Sequence, residues 1–82
     1  MEKHAAQSNL PRTKIWPGQE WLHYKGGLYT IIEIGIKEDT GEQMVIYRSQ
    51  KYNTVWIRNM DNWFETVTTP NGEVARFREI TG

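Results

Sequence analysis

The sequence predicts a small, mostly β domain, either a barrel or a strongly bent antiparallel sheet of about six short strands. Three observations predict it. From residue 19 onward, apolar and polar residues alternate with the period of strands. The alternating runs are separated by turn sequences such as Lys25-Gly26-Gly27 and Pro70-Asn71-Gly72. Four Trp, four Tyr and two Phe in 82 residues supply a core to a chain that has no cysteine. Each buried ring removes about 150–250 Å² from water.

The elements follow in order. Residues 1–14 are polar and aperiodic, and Pro11 interrupts any helix, so residues 1–16 are expected to be a flexible N-terminal arm. Residues 17–82 are expected to form a single β domain. Ile15-Trp16-Pro17-Gly18 has the look of an anchor, with Trp16 covering one open end of the core. Glu20–Tyr24 is the first strand, and the glycines of Lys25-Gly26-Gly27 accept the positive φ of a tight turn. Leu28–Lys37 is the clearest strand. Its even positions Leu28, Ile32, Ile34 and Ile36 form an apolar face broken only by Thr30, and Gly35 marks a bulge or bend. After the Glu38–Gly41 turn, Glu42–Ser49 sets Met44 and Ile46 against Val45 and Tyr47. Thr54–Arg58 likewise sets Val55 and Ile57 against Trp56 and Arg58. Residues 59–64, Asn-Met-Asp-Asn-Trp-Phe, break the alternation and predict a short 3₁₀ turn. Glu65–Thr69 and Glu73–Ile80 complete the six strands.

Length and charge narrow the function classes. A chain this short buries only about 60–65% of the surface its unfolded form exposes, so large aromatics or assembly must compensate for a thin core. Disulfides and thiolate zinc sites are excluded without cysteine, and His4 and His23 have no ligand-like spacing, so no metal or cofactor is expected. Ten basic residues balance ten acidic ones. Lys3, Arg12 and Lys14 against Glu2 give residues 1–16 a net +2, leaving −2 for residues 17–82. A near-neutral body disfavours a non-specific nucleic-acid binder, although a small basic pocket is compatible with it. No apolar run approaches the roughly 18–20 residues of a membrane span, and no apolar stretch follows the charged start. The expectation is a soluble, cytoplasmic protein.

His23-Tyr24-Lys25-Gly26, Tyr29, Val45-Ile46-Tyr47, Trp56-Ile57-Arg58, the Phe64-x-Glu-x-Val stretch, Gly72 and Arg76-Phe77 have a familiar order and spacing. In these, residues 17–80 resemble the bacterial and phage family called domain of unknown function 1653. Three departures stand out. Asn59 stands where the family tends to carry Pro, Trp63 where it carries Met, and Ile36–Thr40 replaces a usual His-x-Glu-Thr. The resemblance implies a compact SH3-like β fold with no established activity.

Catalytic machinery is not apparent, and a non-enzymatic module is expected. Nucleophilic catalysis needs a nucleophile, a base and a group that orients it. The serines considered, Ser8 in the arm and Ser49 beside a turn, lack such partners, and so does His23 as a base. Glu33, Glu42 and Glu65 read as solvated strand acids rather than a converging pair. No phosphate loop of the Walker kind is present. The candidate site is aromatic and basic. If Tyr47 and Trp56 share a face on neighbouring strands, Arg58 and Arg48 lie nearby, and His23, Tyr24 and Lys25 close the rim. Aromatic faces stack on planar bases, and Arg forks grip phosphates. The competing reading makes Tyr47 and Trp56 a packing pair with Arg58 stacked on Trp56.

Phe64 is expected to plug the core, and Trp63 to support self-association as a homo-oligomer. In Arg76-Phe77-Arg78, Phe77 is expected inward and both arginines outward. Three functions follow. The first is a binder of a small anionic or nucleotide-like ligand, which in a phage would act as a sponge for a host immune signal. The second is an SH3-like protein-interaction module. The third is a nucleic-acid accessory domain using Arg12 and Lys14.

Overall fold

The computed structural model describes residues 14–80. Most of the expected arm and the third-class residue Arg12 lie outside the described residues. The chain is mostly β, in the order β1 (Glu20–His23), β2 (Leu28–Ile36), β3 (Gln43–Ser49), β4 (Val55–Asn59), α1 (Met60–Trp63), β5 (Thr66–Thr69), β6 (Gly72–Ala75) and β7 (Phe77–Glu79). Five strands form one antiparallel sheet, ordered β4-β3-β2-β1-β7, and β5-β6 is a separate hairpin. The two ends of the larger sheet, β4 and β7, are not hydrogen-bonded to each other, so no closed barrel forms.

Two expected elements change on folding. The sixth strand divides at Arg76: β6 pairs with β5, and β7 leaves to pair with β1. Arg76 makes the corner because its N–H donates to the Glu65 carbonyl while its own carbonyl accepts from Tyr24 N–H. The break at residues 59–64 is a single α-type turn, in which Phe64 N–H reaches back to the Met60 carbonyl. The glycine turns form as their sequences dictate. Gly26 takes a φ of 107° and Gly72 one of 113°, values that L side chains rarely adopt.

β2 corrects the expected face. Its pairing with β3 shifts between Ile31 and Glu33, so one extra residue bulges there and the alternation changes parity. Tyr29 and Ile31 face the core before the bulge and Ile34 after it. Ile31 is only 1% exposed, whereas Leu28 and Ile36 are exposed. Gly35 is not the bulge; it pairs regularly with Met44.

The core comprises Ile15, Trp21, Ile31, Val45, Tyr47, Met60, Trp63 and Phe77. Packed structure therefore begins before residue 17, and Ile15, not Trp16, closes that end of the core. Trp16 is about half exposed. Gln19 fixes this choice. Its buried amide accepts from the Trp16 backbone N–H and the Trp21 indole, and donates to the Lys14 carbonyl. The strap is thus held with Ile15 inward and its neighbour outward.

Trp63 is completely buried, which overturns its expected place on an association surface; Phe64 is partly buried and packs on Trp21. The Trp63 ring lies 3.6 Å from that of Phe77, within 3° of parallel, and meets Trp21 and Tyr47 edge-on at 5.5 and 4.9 Å. Trp63 carries the one buried side-chain polar atom among the described residues that has no hydrogen-bond partner, its indole N–H.

Two stability predictions follow from these contacts. Trp63→Ala should cost about 3–5 kcal/mol, comparable with the whole stability of a domain this size, and leave the chain largely unfolded in a urea titration. Trp63→Phe keeps a stacking ring and removes the unpaired donor, so it should stay folded and lose much less. Gln19→Leu strands the buried Trp21 indole and should cost about 1–3 kcal/mol, read as a lower urea midpoint with unchanged slope.

Candidate functional site

Cross-strand register decides which side chains share the concave face. Tyr47 sits directly opposite Trp56, and Val45 opposite Arg58. On the other flank, Trp21 pairs with Tyr29 and His23 with Phe77. Tyr47, Trp56, Arg58, His23, Tyr29 and Phe77 therefore face the same way, although they come from five strands. Tyr47 is buried and serves as packing, whereas Trp56 is 52% exposed beside it.

Arg58 and His23 converge on Phe77. The Arg58 guanidinium stands 5.3 Å from the Phe77 ring centre, not over Trp56, and the His23 ring lies 4.9 Å from the same ring. Arg58 Nε donates to Tyr47 Oη at 3.2 Å, and Nη1 donates to Asn62 Oδ1. Arg76 is held from the opposite side. Its Nε donates to the Asn62 carbonyl and its Nη2 pairs with Glu65, both at 3.1 Å. This corrects the expectation of two outward arginines: the corner between β6 and β7 turns Arg76 against the α1 turn and leaves only Arg78 exposed.

The remaining candidates separate. Tyr24 and Lys25 lie at the β1–β2 turn, where the Tyr24 ring contacts His23 at 4.6 Å and Lys25 Nζ lies 5.8 Å from the Tyr24 ring centre. Arg48 does not join the group. It pairs with Val55 and Thr30 on the convex face and donates to Asn53 Oδ1. One-residue alternation puts neighbours Tyr47 and Arg48 on opposite faces.

A groove of about 570 Å³ opens where β1 and β7 meet the β5–β6 hairpin. His23, Tyr24 and Arg78 line it from the sheet, and Thr69, Asn71 and Val74 from the hairpin. Thr69, Asn71 and the groove itself had no sequence signal, since the hairpin is brought beside β1 by the corner at Arg76, which bonds both Glu65 and Tyr24. Among the described residues, no three His, Asp or Glu side chains gather in a way that could hold a metal ion.

Partial burial first, then the charges of Arg58, Arg76 and Lys25, hold His23 below its ordinary pKa of 6.5. Its Nδ1 accepts the Lys25 backbone N–H, an arrangement that suits the neutral ring with its proton on Nε2. The folded state thus binds a proton less readily than the unfolded chain. The resulting stability is complete above the unfolded value of 6.5 and is lost as pH falls through it toward the folded value. Thermal unfolding of His23→Gln should show a flatter loss of stability on acidification across this window than the parent chain shows.

A comparison with curated proteins gives no match. Among solved structures, the chain is similar to the crystal structure of a DUF1653 protein from Bordetella bronchiseptica, with a TM-score of 0.73 and 28% identity. That likeness covers 83% of this chain and 90% of the other. The family described as "Protein of unknown function (DUF1653)" matches residues 19–79, which include every strand of the described sheet and hairpin. The chain belongs to the DUF1653 family.

Proposed function

We propose that this chain is a non-enzymatic binding module for a small anionic ligand, of nucleotide-like or otherwise phosphorylated chemistry, seated in the groove beside His23. The observation that carries this reading is a groove of about 570 Å³ whose lining includes His23, Tyr24 and the exposed Arg78. Its size falls within the roughly 300–1,000 Å³ typical of small-molecule sites. Partial burial and then the nearby charges of Arg58, Arg76 and Lys25 disfavour protonation of His23, so the site adds positive potential close by. A phosphate offsets that potential, and the Tyr24 ring offers a face for a planar base. Exposed Trp56 extends the aromatic surface on the concave side. In this reading the module holds its ligand without transforming it, as a sponge for a signalling nucleotide would. We read the curled sheet as an SH3-like arrangement with an open seam between β4 and β7.

Thermal shift with nucleoside mono- and diphosphates, cyclic dinucleotides and ADP-ribose tests the reading. A true ligand at a hundred times its dissociation constant stabilises the fold by about 2.7 kcal/mol. His23→Ala and Arg78→Ala should remove most of that gain, and Trp56→Ala should reduce it if the base reaches the concave face. Arg48→Ala, on the convex face, should leave it intact. A shift unchanged in His23→Ala and Arg78→Ala would sink the groove as the site. Mass spectrometry of denatured protein purified from native cells would name the ligand.

A further inference from the structure

Three of the exposed large apolar residues are consecutive in the chain. Val55, Trp56 and Ile57, three consecutive positions of β4, are 46, 52 and 65% exposed. β4 ends the five-stranded sheet, so among the described residues no strand pairs with one side of its backbone. Natural edge strands usually carry lysine, proline or a bulge where another strand could pair. Residues 54–57, Thr-Val-Trp-Ile, carry none of these.

The placement of these side chains restricts what can cover them. Trp56 lies on the concave face, and Val55 and Ile57 on the convex one. A partner docking on either face would leave the other exposed. Only a strand added to the edge covers both faces at once. The backbone is set for it. The Thr54 carbonyl accepts from Ser49 N–H, so by antiparallel alternation the polar groups of Trp56 face β3. Those of Val55 and Ile57 face outward.

We propose that β4 pairs antiparallel with β4 of a second copy of this chain, about a two-fold axis through Trp56. This register is self-complementary. Val55 falls opposite Ile57 of the second copy, twice, so the outward backbone groups bond one another and the convex side chains meet apolar against apolar. Trp56 falls opposite the second copy's Trp56 in the closely spaced, non-hydrogen-bonded position, where aromatic pairs pack best. Arg58 falls opposite Thr54, so like charges do not meet. An apolar hollow of about 310 Å³ beside Ile57, lined by Gly35, Met44 and Ile46, continues the contact across the convex face.

Area favours the same occupant. The three side chains expose roughly 300 Å² of apolar surface per copy, at the lower end of the largest patches on monomers, which are often functional. Both copies together, with the strand edges and hollows, bury on the order of 1,000 Å², where specific interfaces begin. Two Trp56 rings would then lie beside Arg58 in one continuous ten-stranded sheet. The groove of the ligand reading lies at the opposite end of the sheet order, on β1 and β7, so the two readings share only Trp56.

Sedimentation of the full chain over a wide concentration range tests it. The expected result is a concentration-dependent dimer, with slowed exchange of the Val55 and Ile57 amides in the dimer. Two variants probe the edge. Ile57→Lys places a charge in the apolar seam. Ile57→Pro removes only an outward N–H and spares the β3 ladder, as edge positions allow. Both should be monomeric with parent-like circular dichroism, and both should keep any nucleotide-induced thermal shift. A parent chain that stays monomeric with freely exchanging Val55 and Ile57 amides overturns the second copy as occupant and leaves the edge to another protein's strand. A dimer that persists in both variants overturns edge pairing.

Discussion

The stack of Trp63 on Phe77, 3.6 Å apart and almost parallel, joins the two ends of an open sheet. Phe77 belongs to β7 at one end of the sheet. Trp63 belongs to the single α turn that directly follows β4 at the other end. The ends do not hydrogen-bond, so side chains must do what a closed barrel does with backbone. Arg58 of β4 reaches the same Phe77 ring, which gives the seam a second contact. Curling the sheet this way turns Tyr47, Trp21, His23 and Tyr29 toward one another and creates the aromatic core.

The α turn has only four residues, too few to be stable by itself, and its place depends on tertiary bonds. Asn62 supplies them. Its side-chain oxygen accepts from Arg58, its carbonyl accepts from Arg76, and its amide donates to Glu65. Two arginines, one on β4 and one at the corner between β6 and β7, thereby hold the turn that carries Trp63. The same arginines raise the potential around His23. Structural bonds and the electrostatics of the candidate site thus come from the same side chains. A protein of balanced formal charge in this way acquires a locally positive corner.

Covering one end of the sheet leaves the other exposed. Phe77 on β7 is buried beneath Trp63, while β7 and β1 form one wall of the groove. β4 contributes Arg58 to the seam, but its earlier residues Val55, Trp56 and Ile57 lie beyond the reach of the α turn and stay in solvent. An 82-residue chain with a thin core leaves little material to cover them, and assembly is one of the few remedies available to a chain without disulfides.

The sequence by itself determined the β class, five of the six expected strands to within a few residues, the turns at Gly26 and Gly72, and the facing of Trp56 with Arg58 and Val55 with Ile57. These are local consequences of alternation and of glycine's access to positive φ. Tertiary structure decided the rest. The bulge after Ile31 reversed the core face of β2, because a one-residue insertion changes parity without altering the apolar content of the run. The last strand broke at Arg76, because two different partners, β5 and β1, compete for its halves. Trp63 went inside although its neighbours are polar, because only the curl of the sheet brings Phe77 beneath it. Of the seven candidate site residues, His23, Tyr47, Trp56 and Arg58 share the concave face, Tyr24 and Lys25 border it, and Arg48 faces away. Alternation could assign residues to faces within each strand, but only the pairing of strands distant in sequence could bring those faces together.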